Sequence, residues 1–338
     1  MDEKRRKQLR WQLPFLLLLI VGTVLIVRQQ HVAPYQQDEG FIFGTTYKIT
    51  YQSPRNMKKE IEGELKKVDQ SLSMFNEQSV ISKINTGKST ATDALFDEVF
   101  QMAQQVSTET DGAFDITVAP LVNLWGFGFK QGTMPTKENV DSILHFIGYQ
   151  SVILKNGHIK KNDPRTTLDC SAIAKGYGCD RVARYLQAEG VTNYMVEIGG
   201  EVVTRGNSPK RVPWKIGVTK PTDDSLNTNQ ELQTVLNVTD KAMATSGNYR
   251  RFYYKGGRKY AHTIDPKTGY PVEHSLLSAT VLADRCAIAD AYATSFMVMG
   301  LDKAKTVLAK HPELAGYFIY TDKQGNLAVW ASPGMKVE

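Results

Sequence analysis

Cysteine is scarce in this chain of 338 residues: Cys170, Cys179 and Cys286 are the whole set. An odd count rules out a fully paired intramolecular framework, and no spacing among the three demands a bridge. They read as small buried residues. The sequence has no internal repeat and no low-complexity tract, which excludes solenoid and linker-like architectures. A surplus of one charge is also missing where it would matter. The formal net charge is +6, but six basic residues (Lys4, Arg5, Arg6, Lys7, Arg10, Arg28) and two acids (Asp2, Glu3) lie in the first thirty positions. The remainder carries 35 basic and 33 acidic residues. No polycationic face is expected, which argues against a nucleic-acid partner. With 41% hydrophobic and 22% charged residues, the chain can bury a core and is not a disordered polymer.

One apolar run is present. Leu13 to Val27 holds no charge, with Pro14, Gly22 and Thr23 as its interruptions. Trp11 and Gln12 extend it to about 17 residues, the lower limit for a membrane span. The basic residues before it are expected to stay on the cytoplasmic side and the bulk of the chain to be translocated. A cleaved signal peptide is the rival reading; no small-x-small cleavage site follows Val27, and no cysteine there would take a lipid. The expected organisation is a basic stub and single-pass anchor over 1–30, a polar tether over 31–39 and one domain over 40–338.

Within that domain a strand is expected over Phe41–Tyr51, and a helix over Met57–Ser71, where Ile61, Leu65, Val68 and Leu72 share a face. Further helices are expected at Asp93–Thr108, from Pro135 to His145, to about Leu186, at Cys286–Met299 and at Asp302–His311. Tyr194–Ile198 and Val202–Arg205 flank Gly199-Gly200, a hairpin signal. Short strands follow at Trp214–Val218, Gln233–Val238, Met243–Thr245, Arg251–Tyr254, Ser278–Leu282, Ala315–Tyr320 and Ala328–Trp330. This pattern is neither regular βαβ nor all-β, so the fold class is α+β.

Four segments carry chemistry. Asp290 and Thr294 are four apart on a helix flanked by Ala287, Ile288, Ala289, Ala291, Ala293, Phe296 and Met297. A carboxylate and a hydroxyl on one face are hard oxygen ligands of the kind Mg²⁺ takes, and a buried Asp must be paired or bind a cation. Leu168 to Gly178 crowds Asp169, Ser171, Lys175, Gly176 and Gly178 around a helix start, where free N–H groups favour anions. Ala174, Gly178, Val182 and Tyr185 are expected on its buried face. His262 precedes Asp265-Pro266-Lys267-Thr268-Gly269, a strong turn signal, in a position compatible with acid–base work. Gly112 reads as a helix cap ahead of Asp115, and Asn123 to Phe129 is an aromatic and glycine cluster suited to packing or to walling a flat ring.

In this order the segments resemble the ApbE family of flavin transferases, FAD:protein FMN transferases, from about Gly44 to Trp330. The resemblance rests on Gly44-Thr45-Thr46-Tyr47, Gly112 to Thr117, Asn123 to Gly128, Asp169 to Tyr177, Glu197 to Gly200, Thr245 to Arg250, His262 to Gly269 and Ala289 to Thr294. It implies an enzyme that splits FAD outside the cytoplasmic membrane and joins the FMN half to a Thr or Ser of a partner flavoprotein, a subunit of a redox-driven pump or reductase. It implies Mg²⁺ on Asp290, Thr294 and the backbone carbonyl of Ala172. Contacts to FAD would come from Ala113, Phe114, Asp115, Asp169, Lys175 and Ile264, and His262 would activate the acceptor hydroxyl. Phe43 and Phe75 stand where the family usually has Met and an aromatic, often Tyr, against the nucleotide. Two other functions share these residues in whole or part: an FAD pyrophosphatase yielding FMN and AMP, and a periplasmic flavin carrier, against which the presence of both Asp290 and His262 argues.

Overall fold

The computed structural model describes residues 12–24, 33–128, 134–222, 231–249, 252–255 and 257–335. Residues 12–24 form helix α1, and its large apolar side chains from Leu13 to Ile20 are each more than half exposed. No helix among the described residues is long and apolar enough to cross a membrane. Positions 11 and 25–27 of the expected span lie outside the described residues.

The domain is built on an eight-stranded sheet in which every neighbouring pair is antiparallel. In spatial order its strands are β1 (Tyr35–Ile42), β2 (Thr45–Gln52), β5 (Tyr194–Ile198), β6 (Glu201–Arg205), β9 (Ala242–Gly247), β12 (Leu276–Ala283), β13 (Ala315–Thr321) and β14 (Leu327–Ala331). Three two-stranded ribbons stand outside it: β3 (Val152–Lys155) with β4 (His158–Lys161), β7 (Trp214–Thr219) with β8 (Leu232–Val238), and β10 (Phe252–Lys255) with β11 (Arg258–Ala261). The helices are α2 (Lys58–Leu72), α3 (Val80–Asn85), α4 (Ala94–Glu109), α5 (Ala119–Leu124), α6 (Lys137–Leu144), α7 (Ser171–Ala188), α8 (Cys286–Met299) and α9 (Leu301–Lys310). The α+β class holds.

Strand alternation sorts the core into two layers. Ala244, Ala279, Val281 and Phe318 face a cluster formed with α4, α7, α8 and α9. Their chain neighbours Met243, Leu282, Tyr317 and Ile319 face the opposite way, where Ile216, Val218, Leu236 and Val238 of the β7–β8 ribbon cover them. A further cluster joins β2 and β5 to α2 and α7.

Two boundaries differ from expectation. Residues 35–39, read as tether, belong to edge strand β1, and the strand expected at 41–51 is split: Phe41 and Ile42 end β1, the hairpin turns at Phe43 and Gly44, and the rest lies in β2. Helix α7 buries more than one face: Ile173, Gly176 through Asp180, Val182, Ala183 and Leu186 are all covered, because it lies between the β2–β5 cluster and α8. Ala174 and Tyr185, expected on its inner face, are only half-buried.

Candidate active site

Helices α7 and α8 cross at Gly176. A Cβ there would collide with the backbone carbonyl of Cys286 and crowd the amide of Ala287, so only glycine permits this approach. Asp180, one turn further along α7, accepts from the N–H groups of Cys286 (2.7 Å) and Ala287 (3.0 Å). These are orphan amides at the start of α8; Arg285, its N-cap, supplies no side-chain cap. Locked in this way, α8 delivers Asp290 back onto α7. Asp290 is 3% exposed, and its Oδ2 accepts from the N–H of Gly176 at 3.1 Å. Regular helix geometry assigns that N–H to the carbonyl of Ala172, so Asp290 competes for the donor of the carbonyl expected to join it as a ligand.

Lys175 adds the charge. Its Nζ lies 2.5 Å from Glu201 Oε1, with the lysine side chain 29% exposed and the glutamate 4%. Glu201 opens β6 immediately after the Gly199-Gly200 turn, whose φ values are +62° and +102°. Burial pushes the carboxyls of both Asp290 and Glu201 upward, while Lys175 acts the other way on each. For Lys175, burial favours the neutral amine, but the charges of Glu201 and Asp290 outweigh it and hold the ammonium above its usual range. Two carboxylates share one ammonium.

Thr294 Oγ1 is 3.1 Å from Ser246 Oγ at the end of β9. Two residues on, Asn248 Oδ1 accepts from Thr263 Oγ1 at 2.6 Å, and Thr263 follows His262. Thus the end of β9 binds both the helix of Asp290 and the segment of His262. The half-buried His262 lies just beyond β11, edge-on to Phe127 with ring centroids 6.4 Å apart. Its turn is held from several sides: Asp265 Oδ1 accepts from Lys267 N (2.9 Å), Lys267 pairs with Asp111, and Trp125 Nε1 donates to Gly269 O (2.7 Å). The aromatic cluster packs, the first of the two uses expected of it. Trp125 stacks on Tyr260, Tyr260 on Tyr253 and Tyr253 on Phe127, giving a continuous wall that ends at His262. Phe129 lies outside the described residues.

The other expected contacts occupy two regions. Asp169 donates its N–H to Ile116 O (2.7 Å) and accepts from Ser171 N at the start of α7 (2.7 Å), which ties the Gly112–Thr117 segment to Lys175's helix. Gly112 has φ +73° and its N–H reaches back to Ser107 O, as a cap should. Both oxygens of Asp115 are used within the protein, by Thr117 N and Oγ1 and by Tyr149 N; burial still pushes its carboxyl up. Ala113 and Phe114 are buried, Phe114 in the main core, which leaves backbone atoms as the ligand-facing groups of Phe114. Ile264 is buried with Leu121, Trp125 and Val140. Phe43 packs over Gly178 between two core clusters, whereas Phe75 is 76% exposed in the turn before α3. Sequence reasoning did not single out Glu201, Ser246 or Asn248 as site residues.

No group of three or more His, Cys, Asp or Glu side chains fit to cage a metal ion occurs among the described residues. The expected donors are of another kind, one carboxylate, one hydroxyl and one carbonyl, a sparse hard-oxygen set that suits Mg²⁺ sharing its shell with substrate phosphates. The buried Glu201 Oε2 has no hydrogen-bond partner among the described residues.

The ApbE family model matches residues 43–318. The FAD:protein FMN transferase of Vibrio cholerae serotype O1 is 37% identical over 302 residues, covering 86% of this chain and 87% of its own. That of Escherichia coli K12 is 34% identical over 313 residues, with 88% and 87% covered. Among solved structures, the flavin transferase ApbE from Vibrio cholerae aligns with a TM-score of 0.80 at 34% identity, over 89% of this chain and 98% of that one. The apo flavinyl transferase ApbE of Pseudomonas stutzeri gives 0.79 at 29% identity, over 89% and 96%. The chain belongs to the ApbE family. It is an enzyme of the transferase class.

Proposed function

We propose that this enzyme transfers FMN from FAD to a Thr or Ser hydroxyl of an acceptor flavoprotein and releases AMP. The observation that carries the reading is the buried Lys175–Glu201–Asp290 cluster at the start of α7, supported by the names of the relatives above. The acceptor oxygen forms a bond to the FMN phosphorus, and the bond from that phosphorus to the bridging oxygen breaks. His262 takes the hydroxyl proton, a contribution of about 10²–10⁴-fold in rate. Lys175 places its ammonium against the diphosphate, and the start of α7 offers backbone N–H groups to the same anion. Asp290, Thr294 and the carbonyl of Ala172 would hold Mg²⁺, which supplies charge neutralisation at the phosphates when bound. The Trp125–Phe127 wall and Phe43 give flat apolar surface for ring systems.

The exposed apolar face of α1 and the basic residues before it support a single-pass anchor in the cytoplasmic membrane, with the domain on the periplasmic side. A reporter fused after Glu338 that works only outside the cytoplasm tests that placement; activity of a cytoplasm-only reporter overturns it. For the reaction, the enzyme is incubated with FAD, Mg²⁺ and a candidate redox-pump or reductase subunit, and both proteins are weighed by mass spectrometry. FMN on the acceptor Thr or Ser and AMP in solution are expected. Free FMN with an unmodified acceptor would instead identify a pyrophosphatase.

A further inference from the structure

Glu201 is an expensive residue to keep. Its side chain is 4% exposed, one carboxylate oxygen has no partner among the described residues, and a second carboxylate, Asp290, is close enough to act on it electrostatically. A buried oxygen left unpaired forfeits its hydration without compensation, and native proteins rarely keep one without a reason. The packing needs no carboxylate at this point, since the neighbouring β6 residues Val202 and Val203 fill their places with apolar side chains.

What Glu201 does hold is Lys175. A lysine is a compact charge on a flexible four-carbon stem, with three donors that can turn in any direction. Here one donor is engaged by Glu201 Oε1 at 2.5 Å, which leaves two for a ligand. The anchor itself is fixed twice. Ile198 and Glu201 are register partners across the Gly199-Gly200 turn, and Cys179 Sγ donates to the backbone carbonyl of Glu201 at 3.2 Å. Cys179 lies four residues after Lys175 on α7, so the strand bearing the anchor is tied to the helix bearing the lysine.

We propose that Glu201 is the positioning residue for Lys175, holding its ammonium directed at the FAD diphosphate without touching the substrate itself. The inference rests on the proposed placement of the diphosphate at Lys175. It makes a counter-intuitive statement about sign. Removing a negative charge beside an anion site strengthens anion binding if charge alone counts; removing the charge that aims the lysine weakens it.

The test is equilibrium titration of FAD, read by flavin fluorescence, on the full chain without divalent cation. Lys175→Met is expected to weaken FAD by about 10–100-fold, the loss of a charge-assisted contact. Glu201→Gln, nearly the same shape, is expected to weaken it by about 3–10-fold and to add nothing in the Lys175→Met background, because it acts through the lysine. Thermal melts establish that each variant is folded. Should Glu201→Gln not fold, Lys175→Met/Glu201→Leu carries the same comparison against Lys175→Met, since an apolar pair can replace a buried ion pair without loss of fold; equal FAD affinity is then expected. Unchanged or tighter FAD binding by Glu201→Gln, with Lys175→Met weakened, overturns the positioning role and leaves the diphosphate site standing, as do additive losses in the double variant. Unchanged binding by Lys175→Met removes the diphosphate reading and this inference with it.

Discussion

Asp290 Oδ2 lies 3.1 Å from the backbone N–H of Gly176, the amide that α-helical geometry reserves for the carbonyl of Ala172. One donor therefore stands between two of the proposed cation ligands. The contact exists because the two helices touch backbone to backbone at Gly176. The proposed cation half of the site thus depends on a helix crossing, and the following outcomes are expected from it and from its surroundings.

Gly176→Ala inserts a methyl where the carbonyl of Cys286 sits. Forced separation of the helices should cost about 1–3 kcal/mol and lower the melting temperature. Transfer activity per folded molecule should fall as well, because Asp290 loses its register with Ala172. A variant with wild-type melting and wild-type rate would show that the crossing tolerates expansion.

Asp290→Asn keeps the shape and removes the charge. FMN transfer should fall more than about 100-fold, as expected for losing the one carboxylate among the proposed ligands of the cation that neutralises the phosphates. The melting temperature should hold or rise, since a buried carboxylate whose ionisation is opposed by burial is replaced by a neutral amide. Wild-type turnover at limiting Mg²⁺ would remove the metal assignment.

His262→Ala should bind FAD with near-normal affinity yet attach FMN at least about 100-fold more slowly, the lower end for loss of a general base. Equilibrium titration and single-turnover labelling of the acceptor measure the two quantities. Weakened FAD binding with an unchanged labelling rate at saturation would make it a binding residue.

Glu98 gives a pH test away from the site. It accepts from Tyr177 (2.6 Å), Arg184 (2.7 and 3.0 Å) and Arg285 (2.6 Å), joining α4 to α7 and to the start of α8. Burial acts to raise its carboxyl, but these hydrogen bonds prevail and lower it to about 2. An acid whose folded value is depressed stabilises the fold above its unfolded value and loses that contribution as pH falls through the folded one. Glu98→Gln should therefore cost about 1–2 kcal/mol at neutral pH, a figure reduced for the partial exposure of the cluster. The gap from wild type should close between about pH 4.5 and pH 2. Urea unfolding at several pH values measures it; a gap that widens on acidification would contradict the network.

Parts of this were legible in the residues. Helix α8 begins and ends where the sequence places it, at Cys286 and Met299, because an apolar run with a single acid has few other uses. The periodic apolar residues of α2 and α4 were equally plain. Strand β1 was hidden because it is an edge strand: its sequence YQQDEGFI shows no apolar alternation, and most of it is not buried. The β1–β2 turn was hidden because Phe43, an aromatic, adopts φ +51°, against the usual turn chemistry. Helices α3 and α5 span six residues each, too short for a period to show. Glu201 closes an unusual Glu-x-Gly-Gly-Glu segment, but nothing local gave its role. Its partner is 26 positions earlier, and only the packing of α7 on the sheet brings the two together.

The end of β9 has a further consequence. Ser246 grips the helix of Asp290 and, just past the end of β9, Asn248 grips the segment of His262, so a short stretch of chain fixes the distance between them. This segment acts as a ruler between the helix of Asp290, proposed to hold the cation, and the segment of His262, proposed to accept the proton. A one-residue insertion after Ser246 would shift Asn248 out of reach of Thr263, although no group proposed to meet the substrate had been altered. Tolerance to insertion and deletion, generous in most surface turns, should be nil at this spot.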